Sequence, residues 1–163
     1  MSEAITGGCQ CGAVRYRIEG QLERPTICHC RMCQKAFGSF FAPLVGARKD
    51  VFSVMRGTIA IFRSSDLVER GFCSTCGTPL TFHEIGRDLI DVSIGSLDHP
   101  AAAKPVQQYG IEGRMPWFAE LAGLPSVTTG EGEGPERIAA IAASNHQHPD
   151  HATAAWPPQG EGR

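Results

Sequence analysis

Apolar and polar residues alternate through much of the first two thirds of the chain. In GAVRYRIEG (12–20), Val14, Tyr16 and Ile18 alternate with Arg15, Arg17 and Glu19. That period of two is expected of a strand buried on one face. Short runs of similar character follow at FGSFFAPLVGA (37–47), VFSVM (51–55), TIAIFR (58–63), LVERGFC (67–73), PLTFHE (79–84), LIDVSIG (89–95) and VQQYGIEG (106–113). Turn residues separate them at close intervals, which predicts an all-β domain with short helical turns. Helix formers are confined to Arg31–Phe37, to a turn in LDHPAAAKP (97–105) and to MPWFAELAGLP (115–125). Residues 1–8 read as a lead-in, and Pro25 as a break in the segment after the first strand. Beyond Ser126 the character changes. TTGEGEGPE (128–136) is polar and glycine-rich, IAAIAA (138–143) offers a helical turn or two, and HQHPDHATAAWPPQGEGR (146–163) has no periodicity. The expected organisation is one domain over residues 1–126 and a mostly flexible C-terminal tail over 127–163.

The chain has 163 residues, of which 42% are hydrophobic and 20% charged. That is enough for a core of its own, so cysteine cross-links are not needed merely to fold. Seven cysteines are therefore informative. A net charge of −2 argues against nucleic acid as the main partner, which would demand a basic face. The most apolar runs, FFAPLVGA and IAAIAA, are too short to span a bilayer. The start, MSEAITGGCQ, lacks a basic stretch followed by an apolar one. These features lead to the expectation of a soluble, cytoplasmic protein with no membrane partner. In a reducing compartment, clustered thiols read as metal ligands or redox pairs.

The cysteines fall in three groups: Cys9 and Cys11; Cys28, Cys30 and Cys33; Cys73 and Cys76. The outer groups supply four thiolates, which satisfy tetrahedral zinc completely and make a closed structural site. The middle group supplies three and leaves one position open, the requirement for chemistry at the metal. Glycine supports this division. Gly12 and Gly77 follow the outer groups, where a positive φ would let the backbone turn its N–H toward sulfur. The middle group instead runs into the helix formers of 31–37, so its thiols should sit near a helix N-terminus, where their pKa falls. Two structural sites, or a reduced cluster without metal, remain alternatives. Iron in place of zinc also suits thiolates. A thioredoxin-like redox role fits less well, because Cys30-Arg-Met-Cys33 does not lie in a βαβ pattern.

GGCQCGAVRY, CHCRMCQKAFGSFF, FRSSDLVERGFCSTCGTPL and DVSIGSLDHP occur in that order over roughly residues 7–125. With these segments the chain resembles the glutathione-dependent formaldehyde-activating enzyme family, also called the centromere protein V/GFA family. The resemblance implies a β-tent fold related to zinc ribbons. It implies a structural zinc on Cys9, Cys11, Cys73 and Cys76, and a second zinc, treated as catalytic, on Cys28, Cys30 and Cys33. The implied activity is that of a carbon–sulfur lyase: a thiol such as glutathione adds to a small aldehyde such as formaldehyde to form a hemithioacetal. The alternative is a zinc-stabilised binding module without chemistry. The segment after residue 127 lies outside the resemblance.

A metal held by three thiolates and a substrate thiolate carries excess negative charge, so cations are expected nearby. Arg31, Lys35, Arg63 and Arg70 are close in sequence to the cysteines, and Arg31 and Arg70 lead as binders of a thiol's carboxylate. Each could equally be solvated surface charge. His29 has three readings, as ligand, proton donor or bystander. Alternation in an extended segment favours the last. His83 and His99 read as strand and turn residues, and His146, His148 and His151 as a weak chelating group in the tail. Ser64 and Ser65 suggest turn or substrate-loop hydrogen bonds. Met115, Trp117 and Phe118 suggest core, and Gly95, Leu97 and Asp98 a turn.

Overall fold

The alternating runs form strands, and the two sheets they build share one apolar core. The structure, a computed structural model, describes residues 4–156. In chain order the strands are β1 (Ile5–Gly8), β2 (Arg15–Ile18), β3 (Glu23–Cys28), β4 (Ala42–Arg48), β5 (Phe52–Arg56), β6 (Ala60–Ser65), β7 (Val68–Phe72), β8 (Pro79–Glu84), β9 (Leu89–Ser93) and β10 (Gln107–Tyr109). The helices are α1 (Arg31–Phe37), α2 (Thr129–Gly132) and α3 (Pro135–Ala143), with several single 3-10 turns. A small antiparallel sheet has the order β1-β2-β5, and a seven-stranded sheet the order β10-β3-β4-β9-β8-β7-β6. Among the described residues only β10 and β3 pair in parallel. The chain is mainly β, as the alternation predicts. No helix among the described residues is long and apolar enough to cross a membrane.

The core lies between the sheets. Tyr16 and Ile18 of the small sheet pack in one cluster with Val45, Ala47, Leu80 and Val92 of the large one. Polar ties fasten the same junction. Arg15 makes a bidentate ion pair with Asp98, and Thr6 also donates to that carboxylate. Tyr16 Oη lies 2.7 Å from Ser96 Oγ. Asp98, expected only to shape a turn, is thus the buried acceptor that joins the sheets.

Three local readings change. The lead-in contains a strand: β1 pairs with β2 from Ile5↔Ile18 to Gly8↔Arg15. Pro25 does not end its segment, because β3 runs through it at a register shift between Glu23 and Thr26. There the missing N–H costs no ladder bond. The run expected as a strand from residue 37 becomes one only at Ala42. Phe37 closes α1, and Gly38 caps the helix in the left-handed region at φ 59°.

Beyond residue 126 the chain forms α2, with a capping box between Thr128 and Glu131, and then α3. Residues 148–156 return to the body of the domain beside the loop after β1. His148 N donates to Gln10 O at 2.7 Å, and the His148 side chain is buried.

Candidate functional site

The first cysteine cluster forms where two tight turns meet. Cys9 and Cys11 lie on the turn between β1 and β2, Cys73 and Cys76 on the turn between β7 and β8. The four sulfurs lie within 4.8 Å of one another, with Cys9–Cys11 at 3.6 Å and Cys11–Cys73 at 3.9 Å. Four sulfurs about 2.3 Å from a zinc sit about 3.8 Å apart by tetrahedral geometry. The spacing therefore fits that ion, and the donors are those of a closed thiolate site. A metal here would fasten the small sheet to the large one.

Both turns close through glycine. Gly12 has φ +73° and Gly77 φ +77°. Their N–H groups bond the carbonyl oxygens of Cys9 (3.0 Å) and Cys73 (2.8 Å), not the sulfurs as expected. The donor to sulfur is Val14 N, 3.2 Å from Cys9 Sγ. The turns are tight enough that the glycine amides must close the ring, which leaves later amides to face the thiols. Burial pushes the Cys9 thiol up to about 12. Burial also opposes ionisation of Cys76, but hydrogen bonds from Thr78 bring it down to about 6.

The second cluster is built at the junction of β3 and α1. Cys28 ends β3, Cys30 is the N-cap of α1, and Cys33 is the third helical residue. Cys33 N approaches Cys30 Sγ at 3.4 Å, so the sulfur caps the helix. The three sulfurs lie within 4.8 Å of one another, and no His, Asp or Glu completes the group among the described residues. Cys33 falls to about 5: Cys28 donates to it, burial opposes the shift, and Arg70 adds a further donor and a charge. Cys28, the proton holder of that pair, is pushed up by its hydrogen bond to Cys33 and by burial.

The cation set against this cluster is Arg70, which comes from the distant strand β7. Its guanidinium reaches Cys33 Sγ at 3.6 Å, Nε donates to Ser64 Oγ at 3.2 Å, and Cζ stacks 5.0 Å from the centre of the Phe82 ring. None of the ion pairs among the described residues includes it. Arg31 lies on the exposed face of α1 with Lys35 one turn later, and its Nη1 donates to Gln34 Oε1 at 3.2 Å. Arg31, Met32, Lys35, Ala36, Phe62, Ser64 and Arg70 together enclose a hollow of about 330 Å3. Arg63 instead turns away to Asp66 O.

The histidines separate from the sulfurs. His29 is fully buried on the reverse of its segment, with Nε2 2.9 Å from Gln108 Oε1 and its ring edge-on to Phe118. His83 bonds Arg87 O. The tail histidines form no metal group among the described residues. Instead His148 and Trp156 stack edge-on at 5.0 Å over Gly12. Trp117 and Phe118 join Phe40 and Phe41 in an aromatic cluster around His29 rather than in the main core, and Trp117 stays exposed.

The pattern of these sites meets an independent finding: the family model described as glutathione-dependent formaldehyde-activating enzyme matches residues 4–111. The chain belongs to this family. Both cysteine clusters of the family member lie inside the matched segment, whereas the segment that carries His148 and Trp156 lies outside it. Among solved structures, a crystal structure of a Rhodobacter sphaeroides protein from a structural genomics programme is similar, with a TM-score of 0.50 and 24% identity. The match covers 63% of this chain and 98% of that one, and it speaks to the fold. Family membership supports a glutathione-dependent, aldehyde-activating role at the level of the family, and the two cysteine clusters could hold metal ions.

Proposed function

We propose that the protein is a zinc-dependent carbon–sulfur lyase that joins a glutathione-like thiol to a small aldehyde at its second cysteine cluster. The observation that carries this reading is the contact between Arg70 and Cys33: a buried cation that has no carboxylate partner among the described residues, set against a cluster of three sulfurs. Cys9, Cys11, Cys73 and Cys76 would hold a structural zinc, and Cys28, Cys30 and Cys33 the catalytic one. Zinc bound by three thiolates supplies an open position that keeps an added thiol ionised near neutral pH.

The chain's own residues do the rest. Arg70 offsets the negative charge that gathers around Cys33. Arg31 and Lys35, one helical turn apart on α1, hold a carboxylate of the thiol at the mouth of the hollow. Met32, Ala36 and Phe62 give the same hollow an apolar lining. The substrate sulfur bonds the carbonyl carbon, and the carbonyl oxygen takes a proton from water. The thiol proton is released, so the sum is an addition without oxidation.

The test is zinc stoichiometry, in wild type and in the Cys28→Ser/Cys30→Ser double variant, with and without glutathione. The reading expects two zincs falling to one with the fold intact, and glutathione protecting the second ion from a chelator. One zinc in both proteins, or no protection by glutathione, overturns it.

A further inference from the structure

The hollow beside Cys33 continues past Arg70 into another of about 330 Å3. Its walls include Ala36 and Phe37 of α1, Phe62 of β6, Phe72 of β7 and Pro79 of β8. Ala36, Phe62 and Arg70 line both hollows, so the two form one groove. Phe62 stands at the junction and is 61% exposed on the outermost strand of the large sheet. No acidic residue lines either part.

The groove is ordered. Arg31 and Lys35 lie at one end, and Arg70, against Cys33, in the middle. Phe37 and Phe72 lie at the other end, with Phe62 between them and the cations. An exposed aromatic over an apolar hollow is a surface that gains by being covered. Apart from Arg70, which is held against Cys33, no charged side chain lines the phenylalanine end. No cysteine is among the lining residues, and the link to the cluster is Arg70, which lines both parts and reaches Cys33 Sγ at 3.6 Å; that link favours as occupant a substituent on the molecule that reacts there. A thiol anchored by its carboxylate at Arg31 and Lys35 brings its sulfur toward Arg70, and whatever becomes attached to that sulfur extends toward Phe37, Phe62 and Phe72. Formaldehyde has no further carbon to place there.

We propose that the carbonyl substrate of this site carries an aryl or alkyl group, seated against Phe37, Phe62 and Phe72. The inference rests on the thiol–aldehyde reading of the second cluster. The bond formed is carbon–sulfur. The carbonyl π pair moves to oxygen, which takes a proton from water, and the thiol proton leaves to solvent. The product is a hemithioacetal whose carbon bears the apolar group.

Calorimetric titration of the zinc-loaded full chain with glutathione, S-methylglutathione and S-benzylglutathione tests this. The expected result is S-benzylglutathione binding at least about tenfold tighter than the methyl conjugate. Phe62→Ala, at an exposed edge position, should reduce that preference to below about threefold. Phe62→Glu should abolish the preference. Equal affinities in wild type, or a preference untouched by both variants, overturn the inference while glutathione binding upholds the site. Failure of all three ligands to bind overturns both readings.

Discussion

The indole N–H of Trp156 donates to the carbonyl oxygen of Cys11, at the turn that carries half of the first cysteine cluster. His148 N bonds the neighbouring Gln10 O, and Arg56 links Gly12 O to Thr153. A side chain at position 12 would collide with both the His148 and Trp156 rings, whereas one at Gly77 would meet nothing. The two glycines have nearly the same φ, so the C-terminal segment is what distinguishes them. Trp156→Ala should therefore speed loss of the first metal to a chelator by roughly three- to tenfold, the worth of one net hydrogen bond. Gly12→Ala should have a larger effect than Gly77→Ala, which carries only the backbone cost of about 1 kcal/mol. Adding Trp156→Ala to Gly12→Ala should change little further, because both act on one contact. Equal release rates in the two glycine variants would sink the argument.

Arg70 is buried and pairs with sulfur instead of a carboxylate. Arg70→Met keeps much of the side-chain bulk that covers Phe82 and removes the charge. Outer groups of this kind are worth roughly 10–100-fold in metal affinity. The second ion should be lost to a competing chelator at correspondingly lower concentration, while the first is retained. Arg70→Lys should recover only part of the loss, because an ammonium cannot reach Ser64 and Cys33 in one plane as the guanidinium does. Chelator titration with mass analysis of the bound metal separates the two ions.

The cysteine groups were legible because cysteines that gather in space recur at short spacings along the chain. The strand after Val14 was legible because Tyr16 and Ile18 are fully buried while Arg17 between them is not. Strand β1 was not, since Gly7 and Gly8 carry no side chain to show a period. The role of Asp98 was hidden for another reason: its partner Arg15 lies 83 residues away, and only the docking of the sheets joins them. The groove was hidden likewise. Phe37, Phe62 and Phe72 come from three elements, and each alone looks like an ordinary strand or helix residue. Arg70 lies near Cys73 in sequence, but its strand carries its guanidinium to Cys33 of the other cluster.

Asp98 gives a sharper stability test. It accepts both arms of Arg15 and the hydroxyl of Thr6, all at the joint between the sheets. Asp98→Ala leaves the Arg15 guanidinium buried without a partner and should cost about 3–5 kcal/mol in urea unfolding. Asp98→Asn keeps an acceptor and should cost less. The double variant Arg15→Met/Asp98→Leu should recover most of the loss, because both charges are then gone. A double variant as unstable as Asp98→Ala would show that packing, not the unpaired charge, sets the cost.

Asp91 adds a pH dependence of definite sign. It sits on β9 opposite Phe82 of β8 and Gly46 of β4. Burial, then the charges of Glu84 and Cys33, push its carboxyl from 3.8 up to about 6. The folded state therefore holds this proton more tightly than the unfolded state. Its contribution to stability is complete below the unfolded value and is lost as pH rises through about 6. Asp91→Asn removes the ionisable group, so the variant should gain on wild type as pH rises from 4 to 7.5, by on the order of 2 kcal/mol. Metal on Cys33 would soften one contributor, but burial is the first cause and keeps the sign. Urea unfolding of both proteins at several pH values across that range measures the difference directly. A gap that stays constant with pH would mean that Asp91 is ionised in the folded protein at no cost, and that the space around it is better solvated than its strand neighbours imply.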